Sequence, residues 1–210
     1  VFPRHRLALK AVRPLLSRVT AVPDQGVFEA VSRLHQDLLE VRELLTATTP
    51  SVRLVLTPEA VVVAEARRTL TSLALYGYCV DGVVANRVLP SSADPWLAGW
   101  GQAQAAQLES VRLDVAPLVV RESGYAPAEP VGVEALLTLA QALYGDTDPT
   151  EVTPTGELMT VSRDSDGFLL SLALPLARLS DLQLSRSGND LVVTVAGHRR
   201  LLALPSALQR

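Results

Sequence analysis

Apolar positions follow two regimes along this chain. Up to about residue 145 they recur every three to four residues or gather in short unbroken runs, and beyond residue 157 they alternate with polar ones. Leu7, Val12, Leu15, Leu16 and Val19 have helical spacing over a segment starting near residue 4, interrupted by Pro14. A break follows at Val22, Pro23, Asp24, Gln25 and Gly26. Val27, Val31, Leu34, Leu38, Val41 and Leu45 then form one stripe of a helix over 27–46, with His35, Asp37, Arg42 and Glu43 largely off it.

The aliphatic run from Ser51 to Thr57 predicts a strand. Pro58 and Glu59 open a helix that runs to about Tyr76, with proline near the first position and a carboxylate in the first turn. Gly77 ends it. A second buried strand is expected over 81–88, and Asp81-Gly82 and Asp146 are expected in turns. Residues 90–95 read as a loop, and 95–109 as a helix with exposed, glutamine-rich faces that Trp96 and Trp100 pack down. A strand at 116–121 and a helix at 131–144 follow, the helix opened by Pro130 and closed by Gly145. Strands alternating with helices imply βαβ units and a parallel sheet. The unbroken Val83-Val84-Ala85 suits a sheet covered on both faces.

Residues 146–156 are rich in proline, threonine and acid, lack apolar periodicity and read as a linker. Five short runs of alternating character come next: 158–162, 168–174, 181–185, 191–196 and 199–204. Turn residues at 164–167, at 187–190 and at Gly197 separate them, which predicts a small all-β sandwich or barrel.

Composition narrows the function classes. The chain is 48% hydrophobic but only 4% aromatic, so leucine, valine and alanine must fill its core. No apolar run approaches the roughly eighteen residues of a membrane helix, so the mean hydropathy of +0.24 reflects interior or contact surface. A net charge of −3 argues against a nucleic-acid partner, which needs a concentrated basic face. Lys10 is the only lysine, so a phosphate-binding lysine has one candidate, and no glycine lies near it. A phosphate loop needs glycine-rich backbone donors followed by Lys and Ser/Thr, and no Gly-Lys-Ser/Thr occurs. Hydrolysis by these 210 residues alone is therefore not expected. Cys79 is the only cysteine, which excludes a disulfide or thiolate zinc site within one chain and fits a reducing, cytoplasmic location. His5, His35 and His198 lack metal-ligand spacing, and no Gly-x-Ser-x-Gly elbow is present. No signal peptide is visible, and the start at Val1, in sequence that reads as mid-helix, leads to the expectation of a longer protein.

Residues 167–175, 179–184, 188–195 and 198–205, with Leu-Pro at 174–175 and 204–205, resemble the strands of the α-crystallin (small heat-shock) fold. Each strand sends alternate aliphatics inward, and each proline stops a ladder where it would lack a donor. Upstream, Ser51–Glu59, Glu65–Leu70 and Val83–Arg87 resemble the late strand–helix–strand unit of ArsA-type ATPases, and Glu129–Leu136 resembles that family's final helix entry. The family includes the arsenite-pump ATPase and the targeting factor for tail-anchored membrane proteins. Some bacterial members carry an α-crystallin-like domain at the C-terminus. The resemblance spans nearly the whole chain but only the C-terminal half of the family's architecture.

The expected fold is α/β with a parallel sheet, part of a P-loop-ATPase-like fold, followed by an all-β α-crystallin-like sandwich. The expected division is an ATPase-like portion at 1–145, a linker at 146–156 and a sandwich at 157–210. The resemblance places the family's helical, apolar subdomain at residues 1–46. There Phe2, Leu7, Leu9, Val12, Leu15 and Leu16 are candidates to meet a partner helix, the alternative being an ordinary helix–helix core.

The resemblance also implies ATP with Mg2+ as cofactors, a homodimer and an apolar protein client. It implies that Asn86, at the end of its strand, helps to read adenine, since an amide is donor and acceptor together. The alternative is a strand-end asparagine that caps its own loop. Around Ser123–Pro127 a second adenine loop departs from the family pattern, with Gly124 where proline is expected. A single cysteine speaks against a thiol-bound metalloid site. No Ile-x-Ile/Val motif follows the sandwich, which speaks against heat-shock-type oligomers. Two functions remain: part of an ATPase that couples nucleotide to an apolar client, or a non-catalytic chaperone-like interaction module.

Overall fold

A computed structural model describes residues 25–47, 49–152, 156, 158–164, 167–204 and 208. The expected helix near the N-terminus, with Phe2, Leu7, Leu9, Val12, Leu15 and Leu16, lies outside these residues, as do His5 and Lys10. The chain divides into one unit ending at Leu44 and a second beginning at Leu45. Helix α1 (Gln25–Thr46) represents the first. Its stripe is open to solvent, with Val27, Val31, Leu34, Leu38 and Val41 each at least half exposed.

The second unit opens with alternating strands and helices: β1 (Val52–Leu56), α2 (Ala60–Tyr76), β2 (Val80–Val88), α3 (Pro95–Val115), β3 (Val119–Gly124) and α4 (Val133–Tyr144). The three strands form one parallel sheet in the order β1-β2-β3. Leu56, Val63, Leu70, Val83, Leu108 and Val111 are the centre of its core. Within β2, Val83, Val84 and Ala85 are all buried, as expected for a covered strand.

Several local details differ from expectation. Glu59 sits at the N-cap of α2 rather than in its first turn, and its side chain caps nothing. Gly77 does end this helix, at φ +89, where its N–H bonds the carbonyl of Ala74. Helix α3 runs past 109 to Val115, because Leu108, Val111 and Val115 keep the buried spacing. Asp94 caps α3 by accepting from the N–H groups of Trp96 and Leu97, both at 3.0 Å. The longer helix moves β3 from the expected 116–121 to Val119–Gly124. Pro117 would have denied that strand a ladder donor. Trp96 and Trp100 do not pack α3 down. They are 70% and 48% exposed and meet each other edge-on with centroids 6.3 Å apart.

The expected five strands after the linker are present: β4 (Met159–Asp164), β5 (Gly167–Leu172), β6 (Leu182–Ser187), β7 (Asp190–Val195) and β8 (His198–Ala203). All neighbours pair antiparallel, β4 with β5 in one sheet and β6-β7-β8 in another. The β7–β8 turn has Ala196 and Gly197 both at positive φ, the geometry that matches the twist of a two-residue hairpin.

Helix α2 serves both sheets. Val63 and Leu70 enter the parallel-sheet core, while Leu75 is buried with Val193, Val195 and Leu202 of the antiparallel sheet. Three polar links reinforce this second contact. The Thr71 hydroxyl donates to the Pro175 carbonyl at 2.7 Å, the Tyr76 hydroxyl to the Arg199 carbonyl at 3.2 Å, and the Arg200 guanidinium to the Leu75 carbonyl.

Truncating Leu75 removes a buried side chain common to both parts. Leu75→Ala is expected to lower stability by about 2–5 kcal/mol in urea unfolding. Amide exchange at Val193 and Leu202 is expected to accelerate more than exchange at Val83.

Candidate functional site

Open α/β sheets bind ligands beyond the carboxyl ends of their strands. Here that edge is formed by the ends of β1, β2 and β3, after Leu56, Val88 and Gly124. The β2–β3 register breaks between Ala85 and Val88, so Asn86 and Arg87 fall out of the ladder. Arg87 takes φ +59, a conformation disfavoured for a residue with a Cβ. Such a kink persists only when its surroundings hold it.

Gln104 holds it. The Gln104 Oε1 accepts from the Leu89 N–H at 2.8 Å, and its Nε2 donates to the Arg87 carbonyl at 3.3 Å. Gln104 is only 8% exposed, which corrects the expectation that the glutamines of this helix face solvent. The signal was present in its spacing: Gln104, Leu108, Val111 and Val115 form one buried face of α3.

The kink carries Asn86 to the sheet edge, half-buried. Its Oδ1 accepts from the Arg87 N–H at 2.9 Å, so the side chain does cap its own loop. That bond uses one of two carbonyl lone pairs and neither amide hydrogen. The Tyr125 N–H donates to the Val88 carbonyl at 2.8 Å, which draws the 123–127 loop alongside. Gly124 pairs with Val88 across this edge, and Ser123 beside it is buried.

The opposite end of the sheet is an ionic cluster. Asp81 is not in a turn; it lies in β2, 3% exposed. Arg53 grips it through both carboxylate oxygens, Nε to Oδ1 at 3.2 Å and Nη2 to Oδ2 at 3.1 Å. The Ser51 hydroxyl donates to Oδ2 at 2.9 Å. Arg53 also donates to the Tyr144 hydroxyl at 3.3 Å and to the carbonyls of Pro149 and Glu151. Its hydrogen bonds to Asp81, and then the one to Tyr144, push the Arg53 pKa above its already high ordinary value. The Tyr144 ring lies under both Arg53 and Arg121, 5.5 and 5.0 Å from their guanidinium carbons. With its donors turned to protein acceptors, Arg53 ties residues 146–152 to the sheet rather than offering an anion site.

Among the described residues, no group of three or more His, Cys, Asp or Glu side chains is placed to hold a metal ion. No described helix is long and apolar enough to cross a membrane.

Residues 6–145 match the family model described as anion-transporting ATPase of the ArsA type, and residues 165–210 match the HSP20-like domain found in ArsA proteins. A putative arsenical pump-driving ATPase of Chlorobaculum tepidum is 31% identical over 89% of this chain and 47% of its own length. An uncharacterised protein of Streptomyces coelicolor is 35% identical over 100% of this chain and 53% of its own. A putative arsenical pump-driving ATPase of Aquifex aeolicus is 27% identical over 100% of this chain and 55% of its own. The chain thus spans about half the length of the curated relatives it matches.

Gln104→Leu is expected to cost about 1–3 kcal/mol, because it strips the Leu89 N–H and the Arg87 carbonyl of their partner. Arg53→Met leaves the Asp81 carboxylate buried without its cation, and denaturant unfolding is expected to show a loss of about 3 kcal/mol or more. Adding Asp81→Leu to that variant is expected to restore much of the loss, since the desolvated charge goes with it.

Proposed function

The chain belongs to the ArsA-type anion-transporting ATPase family, and we propose that it supplies the base-reading edge and the client-handling parts of a longer ATPase. In this reading the intact protein binds ATP with Mg2+, works as a cytoplasmic homodimer and couples its nucleotide state to an apolar client. The proposed parts are an ATPase portion at 1–145 that includes a client-facing segment at 1–46, a linker at 146–156 and an α-crystallin-like sandwich at 157–210.

The observation that carries the reading is the placement of Asn86 at the carboxyl edge of β2, on a kink clamped by buried Gln104. The Asn86 amide keeps both N–H donors and a second Oδ1 lone pair alongside its bond to Arg87. That set matches an adenine edge, which offers a ring-nitrogen acceptor beside an amino donor. This chain fits the base of ATP and not its phosphates or Mg2+: no Gly-Lys-Ser/Thr occurs in it, and no metal-ligand group stands among the described residues. Hydrolysis is therefore assigned to the intact protein and not to these residues. The exposed stripe of α1 supports the client-facing role.

A second reading is a non-catalytic chaperone-like module. It draws on the β4–β5 hairpin, where Met159, Val161, Phe168 and Leu169 are all at least two-fifths exposed.

Calorimetry of ATP binding to the natural full-length protein separates the two. The ATPase reading expects binding, weakened about tenfold or more by Asn86→Ala, with GTP affinity little changed. Absence of ATP binding, together with suppression of client aggregation, would establish the chaperone-like reading instead.

A further inference from the structure

Where α2, the end of α3 and the start of the antiparallel region meet, they surround an open cavity of about 430 Å3. Leu70 and Ala74 of α2 form one wall, and Ala173 and Leu174, just past β5, form another. The turn from Val115 to Leu118 closes a third side. Small-molecule sites are clefts of about 300–1,000 Å3, mostly apolar with a few placed polar groups. This recess has that character: its walls are leucine, alanine, valine and proline, with Tyr78 and Asp114 as polar members.

The two polar members select the ligand. Asp114 accepts from Arg67 Nε at its Oδ2, at 2.6 Å, and Arg67 also donates to the Ser110 hydroxyl at 2.7 Å. The arginine is thus turned to its own partners and is not presented to an incoming anion. A carboxylate or phosphate head would meet the Asp114 carboxylate. A hydroxyl would donate to Asp114 Oδ1, the oxygen that Arg67 leaves open, with Tyr78 the other polar member of the lining.

We propose that this cavity binds a single uncharged apolar molecule with one hydroxyl group, a long-chain or ring-fused alcohol. The proposal is independent of the nucleotide reading. The bound molecule touches both the α/β part and the antiparallel part, so it stabilises their docking by mass action on the folded form.

The test uses the full-length protein and a photoreactive diazirine derivative of a long-chain alcohol, with label positions read by mass spectrometry. Label is expected on the peptides that carry Leu70, Ala74, Leu158 and Leu174. The matching carboxylate probe is expected to label these about tenfold less, the effect of roughly one unfavourable charge contact. Ala173 is exposed, so Ala173→Phe fills the recess without disturbing the core, and it is expected to abolish this labelling while leaving the unfolding midpoint unchanged. Asp114→Asn keeps an acceptor for Arg67 and is expected to bring the carboxylate probe up to the level of the alcohol. Label concentrated elsewhere, such as on residues 25–46, would overturn the proposal. So would equal labelling of the wild type and Ala173→Phe, or equal labelling by the two probes in the wild type.

Discussion

Helix α2 belongs to two hydrophobic cores at once, and the arrangement of the second unit depends on that sharing. Its N-terminal two-thirds present Val63 and Leu70 to the parallel sheet, and its last turns present Leu75 to the antiparallel one. Burying one leucine contributes about 1.5–3 kcal/mol, which is large beside the stability of a whole domain. The β-region is therefore packed onto the α/β region and not merely tethered to it. The hydrogen bonds from Thr71, Tyr76 and Arg200 add direction to a contact that the hydrophobic effect alone leaves unspecified.

With α2 fixed, the two ends of the parallel sheet take different roles. At the amino end, Arg53 binds Asp81, Tyr144 and the carbonyls of Pro149 and Glu151. A buried carboxylate there is tolerable because three donors reach it, two from Arg53 and one from Ser51. At the carboxyl end the ladder is interrupted between Ala85 and Val88. Gln104 satisfies the backbone groups that the kink at Arg87 frees, and Asn86 is left at the edge. One end closes the fold, and the other leaves the half-buried Asn86 amide at a polar sheet edge.

Much of the fold was legible because periodicity was strong. Alternation predicted all five antiparallel strands, strand–helix alternation predicted the parallel sheet, and the unbroken Val83-Val84-Ala85 run predicted its one continuously buried strand, β2. The misses came from reading residues by type and not by position. Gln104 looked solvent-facing because it is polar, although it falls on the buried spacing of α3. Asp81 looked like a turn residue because glycine follows it, although it precedes an apolar run and shares the sheet with Arg53. The position of Asn86 at a strand end was legible; the kink that aims it was not, because positive φ at an arginine has no composition signal. The docking of α2 on the antiparallel region was out of reach, since Thr71 and Pro175 are 104 residues apart.

The carboxyl edge around Asn86 is proposed to read a nucleotide base. Amide hydrogen exchange on the natural full-length protein, with and without a non-hydrolysable ATP analogue, tests it most directly. Selective protection over residues 86–89 and 123–127, with residues 80–83 at the far end of β2 unchanged, is the predicted result. Saturating nucleotide that leaves exchange at both segments unaltered would contradict it.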